Sequence, residues 1–239
     1  MLTAADFFDL DACAFADLFA GTGYVWEAIA RLGQYIERQF AQGLQPNAAA
    51  HAYPGVTFQH RNIFIGAGTH IDPGVMIIGP AIIGSHCEIR QGAYLRENIL
   101  LGDHVVVGHT SELKNTVMMN HSHAPHFAYL GDSILGARVN LGAGSKLSNL
   151  ALTSKPDPQT GKRPTIKLLI DDETIDTQLP KMGAILGDDV QLGCNCVTNP
   201  GCLIGPRTLA YPLLSLRKGY YPPDSVLKLH QDIDIVAQH

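Results

Sequence analysis

Residues 63–113 decide the fold of this chain, and they read IFIGAGTHIDPGVMIIGPAIIGSHCEIRQGAYLRENILLGDHVVVGHTSEL. An aliphatic residue returns at every sixth position of this stretch without exception. A six-residue period fits neither the roughly 3.6 residues per turn of an α-helix nor the two-residue alternation of a flat strand. The period instead predicts a triangular coil that turns a corner every six residues. The aliphatic positions are Ile65, Ile71, Ile77, Ile83, Ile89, Leu95, Leu101, Val107 and Leu113.

Three such hexads complete one turn of the coil, and turns stacked about 4.8 Å apart would bury the aliphatic column. Glycine follows the aliphatic residue at Gly66, Gly84, Gly102 and Gly108, where close packing at a corner favours a residue without a side chain. We therefore predict a mainly β chain, a left-handed parallel β-helix of hexapeptide repeats with an N-terminal helical segment and protruding loops.

The hexad phase is interrupted twice, and each interruption predicts a loop. Leu113 and Leu135 are separated by 22 positions, which is not a multiple of six, so a loop is expected at 114–134. The second interruption spans 150–184 and contains LTSKPDPQTGKRP followed by IKLLIDDETID. Proline and turn residues followed by an apolar run favour a loop with a short hairpin arm.

The ends of the chain are expected to lie outside the repeat. Residues 24–41 place apolar side chains on one helical face, so region 1–60 is predicted to be a helical cap over the open end of the solenoid. The β-helix domain is expected at 61–205. Residues 206–239 contain four prolines, which cannot continue a hydrogen-bonded ladder, so this tail is expected to pack outside the solenoid.

Composition excludes several classes of protein. The formal net charge of -5 at pH 7 argues against a nucleic-acid or anionic-membrane surface. No apolar run approaches the roughly 18 residues of a membrane span, and acidic residues near the N-terminus are unlike a signal peptide. The five cysteines form no disulfide framework, which predicts reduced thiols and a cytoplasmic protein.

The densest run of reactive side chains lies between the two interruptions. It includes Lys114, His121, His123, His126 and Tyr129. The three histidines could bind a metal, although their spacing defines no clear ligand geometry. They could equally be solvated loop residues. In a third interpretation, one of the histidines is a general base beside a basic anion-binding group, since imidazole titrates near neutral pH.

Two motifs in this region carry a resemblance to a known family. Residues 129–149 read YLGDSILGARVNLGAGSKLSN and are preceded by SHAPHFA. They resemble the acetyltransferase domain of the bifunctional N-acetylglucosamine-1-phosphate uridyltransferase and glucosamine-1-phosphate N-acetyltransferase. The segments EAIARLGQYI and PKMGAILGDD are similar to archaeal-type sugar-1-phosphate nucleotidyltransferases with an acetyltransferase tail.

The resemblance implies roles for residues that match the family's motifs. It makes His126 the catalytic base and Glu112 a nearby catalytic acid that orients the base or the amine. The residues implied to bind the amino-sugar phosphate are Arg96, Lys114, Tyr129, Asn140, Asn149 and Lys181. Ala143 and Cys194 fall at positions that contact acetyl-CoA in the family, and no metal is implied.

The resemblance further implies an acetyl-CoA-dependent N-acetylation of an amino-sugar phosphate, with glucosamine 1-phosphate as the leading acceptor, in UDP-N-acetylglucosamine biosynthesis. A homotrimer is implied, because the family's active site lies between subunits. No nucleotidyltransferase motif is found, so a separate nucleotidyltransferase is an expected partner. Two alternatives remain: a non-catalytic trimerisation or regulatory module, and an acyltransferase for a different amino sugar.

Overall fold

The computed structural model describes residues 1–49 and 51–230, and in it the chain forms a parallel β-solenoid of about 10 turns. Equivalent strands of successive turns pair in parallel throughout the solenoid. The left-handed β-helix predicted from the hexad period is confirmed. Two short 3₁₀ helices, Ala4–Asp6 and Ala16–Phe19, and the helix α1, Glu27–Ala41, precede the solenoid.

Most strands of the solenoid are short because the chain turns a corner after two or three residues of extended backbone. In chain order they are β1 (Thr57–Phe58), β2 (Ile63–Ile65), β3 (His70–Ile71), β4 (Met76–Ile77), β5 (Ala81–Ile83), β6 (Glu88–Ile89), β7 (Tyr94–Leu95), β8 (Ile99–Leu101), β9 (Val106–His109), β10 (Glu112–Met118), β11 (His123–His126), β12 (Tyr129–Leu135), β13 (Asn140–Leu141), β14 (Lys146–Leu147), β15 (Lys167–Ile170), β16 (Glu173–Asp176), β17 (Ala184–Leu186), β18 (Gln191–Leu192), β19 (Val197–Thr198), β20 (Cys202–Ile204), β21 (Leu209–Ala210), β22 (Ser215–Leu216), β23 (Gly219–Tyr221) and β24 (Val226–Leu227).

The solenoid has three flat faces. The long strands β10 and β12 cross the corner between the first two, so they belong to both. The first face contains β1, β4, β7, β10, β12, β14, β19 and β22. The second contains β2, β5, β8, β10, β12, β17, β20 and β23. The third contains β3, β6, β9, β11, β13, β18, β21 and β24.

The hexad aliphatics form the interior of the solenoid. Leu95, Leu101, Val107 and Leu113 are all fully buried, and each lies in register with its equivalent in the next turn. Burial of one such side chain contributes roughly 1.5–3 kcal/mol. The continuous column is therefore the main stabilising element of the fold.

The predicted loop at 114–134 is wrong, because these residues form a complete turn of the solenoid. Leu95 pairs with Leu113 at a spacing of 18 residues, whereas Leu113 pairs with Leu130 at a spacing of 17. One residue is missing at the first–second corner in two successive turns, so β10 and β12 run across it as seven-residue strands. The phase therefore shifts without any segment leaving the solenoid. The inward positions here are Leu113, Met118, Ala124, Leu130 and Leu135.

The prediction that residues 206–239 pack outside the solenoid is also wrong for the described part. Strands β21 to β24 continue the parallel ladders as far as Leu227. Pro206, Pro212 and Pro223 lie in turns or bends between strands, where the missing N–H does not interrupt a ladder. Residues 231–239 of the predicted tail lie outside the described residues.

Helix α1 covers a side of the solenoid, which corrects the prediction that it caps the open end. The second face carries an outward apolar column, and α1 contacts this face through buried residues such as Ile29 and Leu32. The first turn of the solenoid is contacted by Asn47, which forms hydrogen bonds with the backbone of Ile63 and Ile65. The outward column is Phe64, Ile82, Leu100, Val117, Ile134, Ile185, Leu203 and Tyr220.

Residues 150–183 leave the solenoid at the second predicted interruption. They contain the antiparallel hairpin β15–β16, in which Leu168 pairs with Ile175. Buried side chains Ile166 and Leu168 of this segment join the apolar cluster on the second face. In the described part of the chain, no helix combines the length and apolar character needed to span a membrane.

Candidate functional site

A ladder of amide and carboxylate side chains follows the first–second corner. Asn98, Asn115 and Asp132 occupy it with φ values of 59°, 48° and 47°, and Asn and Asp tolerate this left-handed conformation better than other residues with side chains. Asn98 Nδ2 donates to Asn115 Oδ1 at 3.1 Å, and Asn115 Nδ2 donates to Asp132 Oδ1 at 3.0 Å. Asn149 Nδ2 donates to the other oxygen of Asp132. The ladder fixes the corner in four successive turns.

Arg96 and Lys114 lie beside this ladder on neighbouring turns, and both have carboxylate partners. Arg96 Nη1 lies 3.0 Å from Glu112 Oε1. Lys114 Nζ lies 3.3 Å from Asp132 Oδ1 and 3.5 Å from Glu97 Oε1. Carboxylates therefore already contact both cations, and a phosphate bound by Arg96 and Lys114 would have to share the two cations with them.

The surroundings favour the charged forms of Arg96 and Glu97. The hydrogen bond to Glu112 raises the pKa of the Arg96 guanidinium. Burial alone would raise the pKa of Glu97, but its own backbone N–H, Lys114 and Arg96 outweigh burial and lower it. The positive charges of the cations and the negative charges of the carboxylates therefore nearly cancel at this corner.

Tyr129 lies on the first face between its strand neighbours Glu112 and Lys146. Its hydroxyl donates to Asn149 Oδ1 at 3.3 Å. Burial raises the pKa of Tyr129, and the nearby carboxylates of Glu112 and Asp132 raise it further. The phenol therefore stays neutral and available as a hydrogen-bond donor at physiological pH.

Lys181 joins Lys114 and Asp132 in a cleft of about 430 Å³ between α1 and the first–second corner. The helix is held there by Asn115 Nδ2, which donates to the carbonyl of Ile29 at 3.3 Å. Gly33 allows the close approach, since a Cβ at this position would lie 3.0 Å from the Asn98 amide. The N-terminal segment therefore forms one wall of the candidate site. We call this region, with Arg96, Lys114 and the ladder, the polar edge.

The opposite border of the first face carries His126, Ala143 and Cys194 on successive turns. The Gly144 N–H donates to the His126 carbonyl at 3.0 Å, and the Asn195 N–H donates to the Ala143 carbonyl at 2.8 Å, which places the three residues one above another. His126 and Cys194 are exposed. We call this column the histidine edge.

Asn140 lies on the third face, in register with His123 and Gln191, and is therefore separated from both edges. Within one chain the predicted residues thus form two groups and one outlier. The polar edge and the adjoining first face bring together Arg96, Glu112, Lys114, Tyr129, Asn149 and Lys181, and the histidine edge holds His126, Ala143 and Cys194.

The remaining histidines of the predicted polar run do not converge on a ligand. The rings of His86, His104 and His121 stack along another corner, with centroids 5.2 and 4.7 Å apart. Burial lowers the pKa of His123, and the neighbouring His121 lowers it further. Among the described residues no group of three or more His, Cys, Asp or Glu side chains is arranged to hold a metal ion.

Four residues of the polar edge were not predicted from the sequence: the carboxylates Glu97 and Asp132 and the ladder amides Asn98 and Asn115. A signal for Asp132 exists: Asn98, Asn115, Asp132 and Asn149 recur at intervals of 17 residues. A search restricted to multiples of six overlooks this interval. Glu97 has no comparable signal, because its position beside Lys114 depends on the pairing of adjacent turns.

These features define the class of protein: a left-handed β-helix with polar residues along both borders of one face. The family model described as the GMPPB C-terminal domain matches residues 77–207, which is more than half of the chain, and the chain belongs to this family. The resemblance to the β-helix domain of GlmU-type proteins is likewise confirmed.

Curated relatives share the β-helix part of the chain. The bifunctional protein GlmU of Methanococcus aeolicus is 35% identical over 146 residues, which cover 61% of this chain and 33% of that protein. The bifunctional sugar-1-phosphate nucleotidylyltransferase/acetyltransferase of Sulfurisphaera tokodaii is 33% identical, covering 60% of this chain and 38% of its own length. The chain therefore spans little more than a third of these relatives.

Among solved structures, the UDP-N-acetylglucosamine acyltransferase of Francisella novicida is similar with a TM-score of 0.43 and 15% identity, covering 69% of this chain and 55% of that one. PerB from Caulobacter crescentus, in complex with CoA and GDP-perosamine, is similar with a TM-score of 0.24 and 16% identity, covering 79% and 59%.

Proposed function

We propose that this chain is an acetyl-CoA-dependent N-acetyltransferase acting on an amino-sugar phosphate, with glucosamine 1-phosphate as the first candidate acceptor. The observation that carries the proposal is the histidine edge, where the exposed His126 imidazole lies one turn from Ala143 and two from Cys194. The proposal is supported by the two relatives that share the β-helix, a bifunctional protein GlmU and a bifunctional sugar-1-phosphate nucleotidylyltransferase/acetyltransferase.

The proposed reaction assigns one proton transfer to His126. Neutral imidazole takes a proton from the ammonium of the amino sugar, because only the free amine is a nucleophile. The amine nitrogen then bonds to the thioester carbonyl carbon, the carbon–sulfur bond breaks, and the thiolate takes up the proton released by the substituted nitrogen. Glu112 is proposed to orient the amine.

The polar edge is proposed to hold the acceptor. Arg96 and Lys114 would contact the phosphate, while Tyr129, Asn149 and Lys181 would contact the sugar. Charge-assisted hydrogen bonds to phosphate are among the stronger polar contacts in proteins. Ala143 and Cys194 would border the acetyl-CoA chain.

We propose a homotrimer, because Asn140 lies on the third face of the chain and can border the acceptor only across a subunit boundary. The five free thiols support a cytoplasmic location, since reducing compartments keep cysteines unpaired. A separate nucleotidyltransferase is the proposed source of any nucleotide-transfer step.

The test is to incubate the purified protein with acetyl-CoA and a panel of amino-sugar phosphates and to follow thiol release and the acetylated product. Glucosamine 1-phosphate is expected to give turnover, and glucosamine without phosphate is expected to give much less. Absence of turnover with every acceptor would contradict the proposal.

A second candidate is a non-catalytic trimerisation module. It is favoured by one observation: the two cations expected to bind phosphate are already in contact with Glu97, Glu112 and Asp132. Light scattering of the same sample distinguishes the candidates, since a stable trimer without turnover would support the module.

A further inference from the structure

A second cleft lies further along the first–second corner, toward the C-terminal end of the solenoid. It has a volume of about 610 Å³ and lies between the segment 150–153 and the turns that carry Asn199 and Arg217. Ser148, which precedes the ladder residue Asn149, belongs to its lining. The cleft therefore lies along the same corner as the polar edge, and its Ser148 is the immediate sequence neighbour of the ladder.

The charge of this cleft differs from that of the polar edge. Arg217 and Lys218 line it, no acidic residue does, and neither side chain has a carboxylate partner within the described residues. Among residues 1–49 and 51–230, Lys218 Nζ donates only to the carbonyl of Lys167, at 3.0 Å. At the polar edge, by contrast, Arg96 and Lys114 contact carboxylates. Uncompensated positive charge in this part of the corner favours a multiply charged anion.

The spacing fits an extended molecule. Backbone pairing aligns Ser148 with Asn199 and Asn199 with Arg217, so Arg217 is two turns from Ser148. Two turns correspond to roughly 10 Å at the strand spacing. That is about the reach from a sugar to the far phosphate and nucleoside of a nucleotide sugar. Leu150, Leu152 and Pro200 give the same cleft an apolar side on which a base could pack.

We infer that the acceptor is a nucleoside-diphosphate-linked amino sugar, whose sugar lies at the polar edge and whose nucleoside diphosphate lies between Arg217 and Lys218. This inference rests on the proposed acetyltransferase function and changes its preferred acceptor: the phosphates lie beside Arg217 and Lys218, and not, as proposed for glucosamine 1-phosphate, beside Arg96 and Lys114, which already contact carboxylates. The acceptor occupies this cleft, and not coenzyme A, because the cleft lies along the same corner as the polar edge, whereas Ala143 and Cys194 lie on the opposite border of the first face.

Direct binding tests the site independently of turnover. UDP, GDP and dTDP are titrated into the full-length protein by calorimetry, for the wild type and for Arg217→Gln with Lys218→Gln. At least one nucleotide is expected to bind, with affinity at least about tenfold lower in the double variant, since each charge-assisted contact is worth about that factor. The matched control is Arg207→Gln, an exposed arginine paired with Asp224, which should leave binding unchanged.

Steady-state kinetics then show which of the two substrates, the acceptor or acetyl-CoA, lies in the cleft. We predict a higher kcat/KM for a nucleotide-linked amino sugar than for the free sugar 1-phosphate, with the preference lost in the double variant. A variant that raises the KM for acetyl-CoA and spares the acceptor would overturn the inference, as would absence of nucleotide binding. If nucleotides bind through Arg217 and Lys218 but no acceptor is acetylated, the cleft is a nucleotide-binding site and the proposed acetyltransferase function is wrong.

Discussion

The two borders of the first face differ in how many of their side chains already bond other side chains of the protein. At the polar edge, Lys114 and Asn149 both donate to Asp132, so the positions of all three are fixed before any ligand arrives. At the histidine edge, His126 and Cys194 are exposed on stacked turns. A fixed border suits recognition, and an exposed imidazole suits proton transfer. The face between them, with Glu112 and Tyr129, can join the two tasks.

The largest effect on this comparison is expected from Asp132→Ala. The carboxylate is nearly buried and accepts from Lys114, Asn115 and Asn149, so its removal leaves a mostly buried ammonium and two amides short of an acceptor. We expect a loss of about 3–5 kcal/mol in the free energy of unfolding, measured by urea denaturation.

Asp189→Ala is the matched control for Asp132→Ala, because it breaks the ion pair with Arg138 on the surface and should cost at most about 1 kcal/mol. Adding Lys114→Met to Asp132→Ala should restore part of the loss. Equal losses for Asp132→Ala and Asp189→Ala would show that the polar edge is no more fixed than the surface.

The next effect concerns Cys194 at the histidine edge. Its thiol is exposed, whereas Cys202 is buried and burial raises its pKa to about 12. Since the thiolate is the reactive form, a thiol reagent should modify Cys194 well before Cys202, as peptide mass spectrometry would show. Saturating acetyl-CoA should slow the modification of Cys194 by roughly tenfold if the cofactor covers this column. Unchanged reactivity would place the cofactor elsewhere.

The smallest effect is expected from Tyr129→Phe. This change removes one hydroxyl and its bond to Asn149, so the acceptor KM should rise several-fold and stability should fall by about 0.5–1.5 kcal/mol. Tyr94→Phe is the control, because Tyr94 lies two turns earlier in the same column and is exposed. A similar rise in the acceptor KM for both variants would contradict a contact between Tyr129 and the acceptor.

The repeat from Ile65 to Leu113 predicted the fold because the interior of a β-helix depends on one inward residue per corner. The turn at 114–134 was missed because losing one residue at a corner shifts the phase while Met118 and Ala124 still point inward. The position of α1 was missed because an amphipathic helix does not specify which apolar surface it covers. Adjacent apolar pairs such as Ile82 with Ile83 and Leu100 with Leu101 carried that information.

The candidate site could be predicted in part. His126 and Tyr129 were predicted because they lie in one recognisable motif, and their roles stay predictions. The carboxylates that neutralise Arg96 and Lys114 were not found, since pairing between turns brings Glu97 and Asp132 to them across intervals of 17 or 18 residues. The division into two edges likewise depends on the corner at which each residue lies.

The central claim is that the histidine edge performs proton transfer, and the most direct measurement is the kcat for acetyl transfer of His126→Gln against His109→Gln. His109 lies in register with His126 on the preceding turn and is the matched imidazole. We predict a loss of about 10²–10⁴-fold for His126→Gln, the usual contribution of a general base, and a change of less than about threefold for His109→Gln. A kcat for His126→Gln within threefold of the wild type would contradict the claim.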